Sequence, residues 1–364
     1  MPDCWYYVDN MKKTIKKAFT VLIIAVSMLL VVSCATNAAQ DPDKALNLWT
    51  ENAPLKTALV EFVQNATDKS NPGYIPVERR IAVFDMDGTI LCETDRDYFD
   101  HTLLAYRVTE DPSYIYRASE FEKDVANQII EKSKTSSPVS GLDIDHGKAV
   151  ATAFKGMTPD RFIDYIQVFK ELPMPGYEGM KRGDSFYLPM IQVIDYLQAN
   201  DFTVYIVSGT DRLISRAIFY NNDAFNLQPK QIIGSDVLLV ATNQGTTDGL
   251  QYTYTDKDQV VIGGQFLIKN LKMNKVTAIV REIGYQPVLS FGNTTGDAAM
   301  AMYTITNNPY PSLAFMLCCD DLVRENGNQQ KADDMYSLCR QLNWIPVSMK
   351  IDWTTIYGDG VKRK

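Results

Sequence analysis

The sequence predicts an α/β fold: a three-layer, Rossmann-like core with a parallel central sheet and a mainly helical cap inserted after the first strand. Two observations predict it. Short, almost continuous apolar runs, the pattern of strands buried on both faces, alternate with amphipathic helical stretches. The runs are residues 81–84, 202–207, 287–291 and 312–317. Between the first two runs, residues 93–180 carry aromatic-rich helical patterns and no alternating strand pattern.

Length and composition set the outer bounds. The 364 residues suit one large domain or a core with a second domain inserted into it. A hydrophobic content of 46% with 22% charged residues is that of an ordinary globular protein. The net charge of −8 leaves no basic footprint for nucleic acid, so we expect no nucleic-acid partner. The oligomeric state stays open.

The N-terminus has the pattern of a targeting segment. Four lysines between positions 12 and 17 precede the apolar stretch 19–32, which is too short for a comfortable membrane span. The stretch ends Leu30-Val31-Val32-Ser33-Cys34, which resembles a bacterial lipobox. We therefore expect residues 1–33 to be a signal peptide, with Met11 as the true start, and Cys34 to carry the lipid, including palmitate. An ordinary secreted protein cut nearby, or an uncleaved anchor, are the alternatives.

Residues 34–43 are small and polar and are interpreted as a lipidated tether. The lipid would hold the protein to a membrane of the bacterial cell envelope, on its periplasmic or surface side. Which membrane and leaflet is left open.

Two carboxylates follow the first strand directly. The run Ile81–Phe84 leads into Asp85-Met86-Asp87-Gly88-Thr89, so both carboxylates lie at the carboxyl end of a buried strand. Open α/β sheets bind ligands at that end. The alternative is a solvated Asp-Gly turn that closes the strand. The motif resembles the signature of haloacid dehalogenase-like (HAD) phosphohydrolases, and the resemblance covers residues 81 to about 315.

Two further motifs follow in the order of that family. Ser208-Gly209-Thr210 ends the second strand and precedes a helix predicted over 211–219, an arrangement that offers backbone N–H groups to a phosphate. Lys275 follows Asn274, the predicted N-cap of a helix over 275–283. The resemblance implies that Ser208, Gly209 and Lys275 bind the substrate phosphoryl group, with Lys275 bridging it to the nucleophile.

The fourth motif departs from the family. HAD phosphatases usually carry Gly-Asp-x-x-x-Asp as Mg²⁺ ligands, whereas this chain has Gly292-Asn293-Thr294-Thr295-Gly296-Asp297. An amide oxygen can bind Mg²⁺ but carries no formal charge. Either Asn293 is a weak ligand or Asp297 takes the inner-sphere place, and the sequence leaves both open. Asp85 and Asp87 complete the implied metal site.

The remaining elements are predicted from local patterns. Residues 231–240 and 251–261 are interpreted as strands joined by a loop over 242–249, and residues 312–317 as the last parallel strand. Residues 94–180 form the predicted cap, and residues 44–93 with 181–364 the core. The two histidines of the chain, His101 and His146, are interpreted as surface or packing residues, because two histidines alone do not make a zinc site.

The resemblance implies a Mg²⁺-dependent phosphatase of the acid-phosphatase or phosphoserine-phosphatase-like branch. Asp85 would attack phosphorus and Asp87 would act as general acid and base. The expected partner is a small phosphomonoester, whose identity the sequence does not reveal. The competing interpretation is a catalytically weak or inactive HAD-fold lipoprotein that binds phosphorylated ligands, and Asn293 is its main support.

Overall fold

The computed structural model describes residues 41–93, 97–135 and 139–364. Its strands in chain order are β1 Ile81–Phe84, β2 Tyr177–Glu178, β3 Thr203–Asp211, β4 Ile232–Ala241, β5 Val260–Ile268, β6 Leu289–Gly292, β7 Leu313–Cys318, β8 Ile345–Ser348 and β9 Lys362–Arg363. Within these residues, seven strands form one sheet in the order β5-β4-β3-β1-β6-β7-β8. All neighbours are parallel except β4 and β5, while β2 and β9 form a separate antiparallel pair.

The α-helices follow the predicted alternation. They are α1 Pro42–Ala45, α2 Pro54–Thr67, α3 Phe99–Thr109, α4 Glu120–Thr135, α5 Leu142–Ala153, α6 Pro159–Lys170, α7 Leu188–Ala199, α8 Arg212–Phe219, α9 Met273–Ala278, α10 Ala298–Ile305 and α11 Gln329–Leu342. A π-helical turn, Ile279–Ile283, continues α9, and 3₁₀ turns cover Val77–Arg79, Arg182–Asp184 and Pro229–Gln231. Helices α3–α6 lie between β1 and β3, so the predicted helical insertion after the first strand is confirmed, as is the α/β core.

β1 lies at the centre of the sheet and is buried along its whole length. The register pairs Phe84 with Ile206 of β3 and with Phe291 of β6. The Phe84 ring stacks on Phe291 with 4.1 Å between centroids, and Phe291 stacks on Phe315 at 4.9 Å. These large buried rings hold three neighbouring strands in register. The carboxyl ends of β1, β3 and β6 therefore meet at one edge of the sheet.

The strand predicted over 251–261 is wrong for most of its length, because β5 begins only at Val260. The residues before it form a loop closed around Asp258. Its carboxylate accepts hydrogen bonds from the Tyr252 hydroxyl and from the backbone N–H groups of Asn243 and Thr255. The alternating tyrosines that imitate a strand pattern thus serve a local polar cluster, and the connecting loop extends from 242 to 259.

Two other boundaries differ from the prediction. Helix α9 begins at Met273, and its N-cap is Lys272, whose φ is +54°. The Asn274 side chain instead donates to the carbonyl oxygen of Lys269 at 2.8 Å. β7 is not the last parallel strand, since Ile345–Ser348 adds to its free side as β8. The C-terminal segment therefore extends the sheet.

The predicted signal peptide, Met11 and Cys34 lie outside the described residues. The predicted tether over 34–43 does too, except for its last three residues. In the described part of the chain, no helix is both long enough and apolar enough to cross a membrane.

Candidate active site

The loop after β1 brings Asp85 and Asp87 to the carboxyl edge of the sheet. The backbone N–H of Asp85 donates to the Phe291 carbonyl at 2.8 Å, which continues the ladder between β1 and β6. The chain then turns at Gly88, whose φ is +77°. A Cβ at this position would overlap the side chains of Asn293 and Glu93. Position 88 therefore requires glycine for two reasons: its positive φ, and the close approach of two polar side chains.

Lys275 bridges two carboxylates beneath this loop. Its Nζ lies 2.5 Å from Asp85 Oδ1 and 2.7 Å from Asp297 Oδ1, and the side chain is fully buried. Burial alone would lower the pKa of Lys275. The charges of Asp297 and Asp85 outweigh it and raise the pKa, so Lys275 is a buried ammonium ion. The ammonium group fixes the position of the Asp85 carboxylate and compensates part of its charge.

Asp85 is itself only 7% exposed. Burial, followed by the negative charge of Asp297, raises its pKa to about 7, while the charge and hydrogen bond of Lys275 act in the opposite direction. Near neutral pH the carboxylate form is therefore present and depends on Lys275. A carboxylate held by one ammonium group in a nearly dry position is suited to nucleophilic attack.

Asp87 has a different environment from Asp85. Its Oδ2 accepts a hydrogen bond from Thr210 Oγ1 at 2.7 Å, whereas its buried Oδ1 has no hydrogen-bond partner among the described residues. Burial, and then the negative charges of Asp100 and Asp85, raise the pKa of Asp87 well above its usual value. Two neighbouring carboxyl groups with different protonation states are typical of an acid and a nucleophile that work together.

Ser208 and Gly209 lie level with this loop, since Phe84 pairs with Ile206 two residues earlier. The Ser208 hydroxyl is buried and accepts from the backbone N–H of Thr210 at 3.0 Å. Ser235 Oγ donates to the Gly209 carbonyl at 2.6 Å, so the segment is held from the β4 side. Hydroxyl groups and backbone thus converge on the side of Asp87 that faces β3.

The helix after this segment does not provide the predicted phosphate site. β3 continues to Asp211, and α8 begins only at Arg212. Asp211 Oδ1 accepts from the N–H groups of Leu213 and Ile214, at 2.8 and 3.2 Å. Because the chain's own carboxylate caps these N–H groups, they are not available to a substrate. Any phosphate contact from this motif must come from Ser208 to Thr210.

Asp297 is fully engaged within the chain. Its Oδ1 contacts Lys275, and its Oδ2 accepts from the backbone N–H groups of Asn293 and Thr294, both at 3.1 Å. The Cβ that Gly292 lacks would lie 2.6 Å from Asp297 Cβ, so the glycine lets the Asp297 side chain fold back against β6. Asp297 therefore orients Lys275 and closes the loop after β6.

Asn293 points the other way, towards the Asp85–Asp87 loop. Its Nδ2 donates to Glu93 Oε2, and its Oδ1 lies 3.5 Å from Thr89 Oγ1. The bond to Glu93 fixes the orientation of the amide, so that the oxygen faces Thr89. Of the two alternatives for the fourth motif, Asn293 is the residue with an oxygen directed at the loop that carries Asp85 and Asp87.

Three residues at this site were not predicted. Glu93 is buried, and this burial is the main cause of its raised pKa. Thr210 donates a hydrogen bond to Asp87. Asp100, in α3, raises the pKa of Asp87 through its negative charge. Thr210 lies inside the Ser208-Gly209-Thr210 motif, so the sequence could have indicated it as a site residue. Glu93 and Asp100 belong to no motif, and only the folded chain brings them to Asp87.

A cavity of about 440 Å³ adjoins the Asn293 side of the site. Residues of four parts of the chain line it: the loop and helices after β1, the loop after β6, the end of β7 with the loop that follows it, and α11. Among them are Glu93, Lys132, Asn293 and Lys331. Lys331 Nζ lies 3.7 Å from Glu93 Oε1, and Lys132 Nζ donates to Asp97 at 2.9 Å. The cavity is of the size that takes a small molecule.

Asp320 and Asp321 take no part in this site. Asp320 accepts from the hydroxyls of Tyr336 and Ser348, at 2.8 and 2.5 Å, and so joins α11 to β8. Asp321 caps the turn after β7 and pairs with Arg324. Both carboxylates are structural, and neither caps α11, whose N-cap is Asn328.

Comparison with known proteins adds the following. No family model and no curated protein matches the chain. A conserved protein of unknown function from Anaerococcus prevotii matches at 14% identity and a TM-score of 0.48, over 80% of this chain and 91% of its own. Cytosolic 5'-nucleotidase IIIB bound to cytidine matches at 8% identity and a TM-score of 0.47, over 82% of this chain and 87% of its own. A phosphoserine phosphohydrolase-like protein from Francisella tularensis matches at 12% identity and a TM-score of 0.35, over 65% of this chain and 87% of its own. These likenesses concern the fold and assign no reaction.

Proposed function

We propose that this chain is a Mg²⁺-dependent phosphomonoester hydrolase of the HAD type, which acts through an aspartyl-phosphate. The observation that carries the proposal is the environment of the two carboxylates. The buried ammonium of Lys275 contacts Asp85 and favours its carboxylate form, while Asp87, bonded to Thr210, has a pKa raised well above its usual value and can hold a proton. A nucleophile and a proton donor thus stand one residue apart.

The site has the negative charge that a divalent cation requires. Asp85, Asp87, Glu93 and Asp297 are all buried, and Lys275 is the only buried lysine among the described residues. The buried Oδ1 of Asp87 also has no hydrogen-bond partner in that part of the chain. The available donors are hard oxygens, which Mg²⁺ prefers. We infer that Asp85, the main-chain carbonyl of Asp87 and Asn293 Oδ1 would hold it, with Asp297 orienting Lys275. When bound, Mg²⁺ offsets the repulsion between Asp85 and the phosphoryl group.

The first step transfers the phosphoryl group to Asp85. Its carboxylate oxygen bonds to phosphorus, the bond between phosphorus and the ester oxygen breaks, and the leaving alkoxide takes the proton of Asp87. The alcohol departs and the aspartyl-phosphate remains. Lys275 and Ser208 stabilise the phosphoryl oxygens as their charge redistributes.

The second step reverses the role of Asp87. As a carboxylate it removes a proton from water, whose oxygen attacks phosphorus while the bond to Asp85 breaks. Inorganic phosphate leaves, and both aspartates return to their starting states. The raised pKa of Asp87 suits both halves of the cycle, because the group must give and regain one proton near neutral pH.

The size of the cavity supports a small substrate. A volume of about 440 Å³ suits a small phosphorylated metabolite, and the wall carries Lys132 and Lys331, which pair with Asp97 and Glu93. The predicted lipid on Cys34 would place this reaction outside the cytoplasm, at the surface of a membrane. That placement rests on the sequence pattern of residues 12–34 alone.

The test is release of phosphate from p-nitrophenyl phosphate with and without Mg²⁺, followed by a panel of phosphoserine, phosphocholine, sugar phosphates and nucleotides. We expect turnover that requires Mg²⁺ and is lost with EDTA. Turnover that persists in EDTA, or none with any member of the panel, would reject the proposal.

Asn293 favours a second candidate, a lipid-anchored protein that binds phosphorylated ligands without turnover. An amide in place of a carboxylate weakens the metal site, as expected of a decayed enzyme. Saturable binding of a phosphomonoester, measured by calorimetry in the absence of any hydrolysis, would support this candidate over the first.

A further inference from the structure

A second cluster of metal-ligand side chains lies in the helical insertion. Asp100 and His101 belong to the first turn of α3, and His146 to the first half of α5. Each offers one ligand atom within 4.8 Å of the others, and all three residues are buried, at 2% exposure. The sequence prediction that the histidines are surface or packing residues leaves out Asp100, the carboxylate that completes a ligand set.

The hydrogen bonds around His146 leave one of its nitrogens bare. Nε2–H donates to the backbone carbonyl oxygen of Asp100 at 3.2 Å. With the proton on Nε2 held by this bond, Nδ1 of the neutral ring carries a lone pair. That Nδ1 is buried, has no hydrogen-bond partner among the described residues, and lies 3.8 Å from Asp100 Oδ2. A lone pair and a carboxylate oxygen facing each other in a dry site repel, unless a cation lies between them.

His101 is oriented in a similar way. Its Nδ1 is buried and lies 3.0 Å from Asp97 Oδ1, within ion-pair distance, but makes no hydrogen bond among the described residues. Lys132 donates to the same Asp97 oxygen at 2.9 Å and so keeps the carboxylate in place. The two imidazole rings lie 4.4 Å apart between centroids. Histidines that bind metals commonly donate their second N–H to a carboxylate or a backbone carbonyl, and His146 has such an acceptor in the Asp100 carbonyl.

We propose that Asp100, His101 and His146 bind a Zn²⁺ ion that joins α3 to α5. Two nitrogens and one carboxylate oxygen suit Zn²⁺, whereas Mg²⁺ prefers oxygen alone. Tetrahedral ligands at about 2.1 Å from zinc stand about 3.4 Å apart, close to the 3.8 Å between His146 Nδ1 and Asp100 Oδ2. A cavity of about 10 Å³ borders Asp100 and His146. The site differs from the proposed Mg²⁺ site and does not depend on phosphatase activity.

The chain's composition makes the test sharp, because it contains only two histidines. Full-length, untagged protein is freed of metal, given one equivalent of Zn²⁺, and measured by X-ray absorption at the zinc edge. Imidazole scattering from two nitrogens per zinc is the expected result, and in an untagged monomeric chain it can come only from His101 and His146. A spectrum with oxygen ligands alone would overturn the proposal. This measurement on the wild type needs no variant to fold.

Variants give the second arm. His146→Ala should weaken Zn²⁺ binding at least about 10–100-fold in a competition titration, whereas Asp85→Asn should leave the imidazole-bound zinc in place. Lys269→Met should tighten binding, because Lys269 lines the same small cavity and its positive charge opposes a cation there. Equal zinc affinity of the wild type and a folded His146→Ala variant, judged by circular dichroism, would reject the site.

Discussion

Lys275 Nζ lies 2.5 Å from Asp85 Oδ1, although the two residues are 190 positions apart in the chain. The ammonium is fully buried and also contacts Asp297. A phosphoryl group that approaches Asp85 must therefore approach a fixed positive charge as well. This pairing joins the first and third sequence motifs in one site.

The nucleophile can be tested by Asp85→Asn. The amide is isosteric but far less nucleophilic, so turnover of p-nitrophenyl phosphate should fall by at least about 1,000-fold. Asp164→Asn, the same change at an exposed position of α6, is the matched control and should leave the rate unchanged. Activity of Asp85→Asn within about tenfold of the wild type would show that Asp85 is not the nucleophile.

Asp87→Asn should also remove steady-state turnover, but in a manner that depends on the leaving group. A general acid contributes about 10²–10⁴-fold, and p-nitrophenolate needs little protonation to leave. Phosphorylation of Asp85 by p-nitrophenyl phosphate should therefore survive and hydrolysis of the phosphoenzyme should stop. Mass spectrometry of rapidly quenched protein should detect the phosphorylated chain. Equal losses for good and poor leaving groups, with no phosphoenzyme, would contradict the acid–base role of Asp87.

Asn293→Asp should lower the Mg²⁺ concentration that gives half-maximal activity. The substitution restores a carboxylate at the position whose oxygen faces the Asp85–Asp87 loop, and Mg²⁺ binds carboxylate better than amide. Asn293→Ala should raise that concentration, and Asn221→Asp, the same change at an exposed position outside the site, is the matched control. A Mg²⁺ titration of all variants decides the matter. If neither change at 293 moves the midpoint, the fourth motif is not the metal site.

The stability of the metal-free protein should fall as the pH rises from about 5 to 8. Burial raises the pKa of Asp211 to about 7, whereas an unfolded aspartate has a pKa of about 3.9. Between these values the native state binds more protons than the unfolded state, so stability decreases with increasing pH. Asp85 has the same direction of shift. The effect amounts to a few kcal/mol at most for each group.

Asp211→Asn isolates one of these contributions. Asparagine is as good an N-cap as aspartate and does not titrate, so the variant should keep α8 while its stability changes less with pH. Urea unfolding at pH 5 and pH 8, in EDTA, measures how the free energy of unfolding of each protein changes with pH. The same pH dependence of the free energy of unfolding in the wild type and the variant would mean that Asp211 ionises normally in the folded protein.

The lipid on Cys34 is tested by growth with labelled palmitate. The wild type should take up label and sediment with membranes, and Cys34→Ser should lose both properties. Cys319→Ser removes a half-buried thiol elsewhere in the chain and should keep the label. A Cys34→Ser protein that remains with the membrane would indicate an uncleaved helix instead.

Local sequence patterns determined the core of this protein. The four-residue run of β1 is buried on both faces, and such a run followed by Asp85 and Asp87 specifies a central parallel strand with its carboxylates at the edge. The order of the motifs likewise predicted that Lys275 and Asp297 belong to the same site, and in the structure Lys275 Nζ lies 2.7 Å from Asp297 Oδ1. Local pattern failed at residues 251–261, where tyrosines at alternate positions serve the Asp258 cluster rather than a strand.

Only the tertiary structure decided which polar groups meet. Glu93 accepts a hydrogen bond from Asn293, 200 positions away in the chain. Asp211 caps the helix whose N-terminus was predicted to bind a phosphate. Asp100 lies beside two histidines that the sequence separates by 45 positions. Burial then sets the charge of each group, because a low-dielectric surrounding raises the cost of an unpaired charge. Burial and pairing depend on the whole fold, so no local pattern could have assigned the protonation of Asp85, Asp87 and His146.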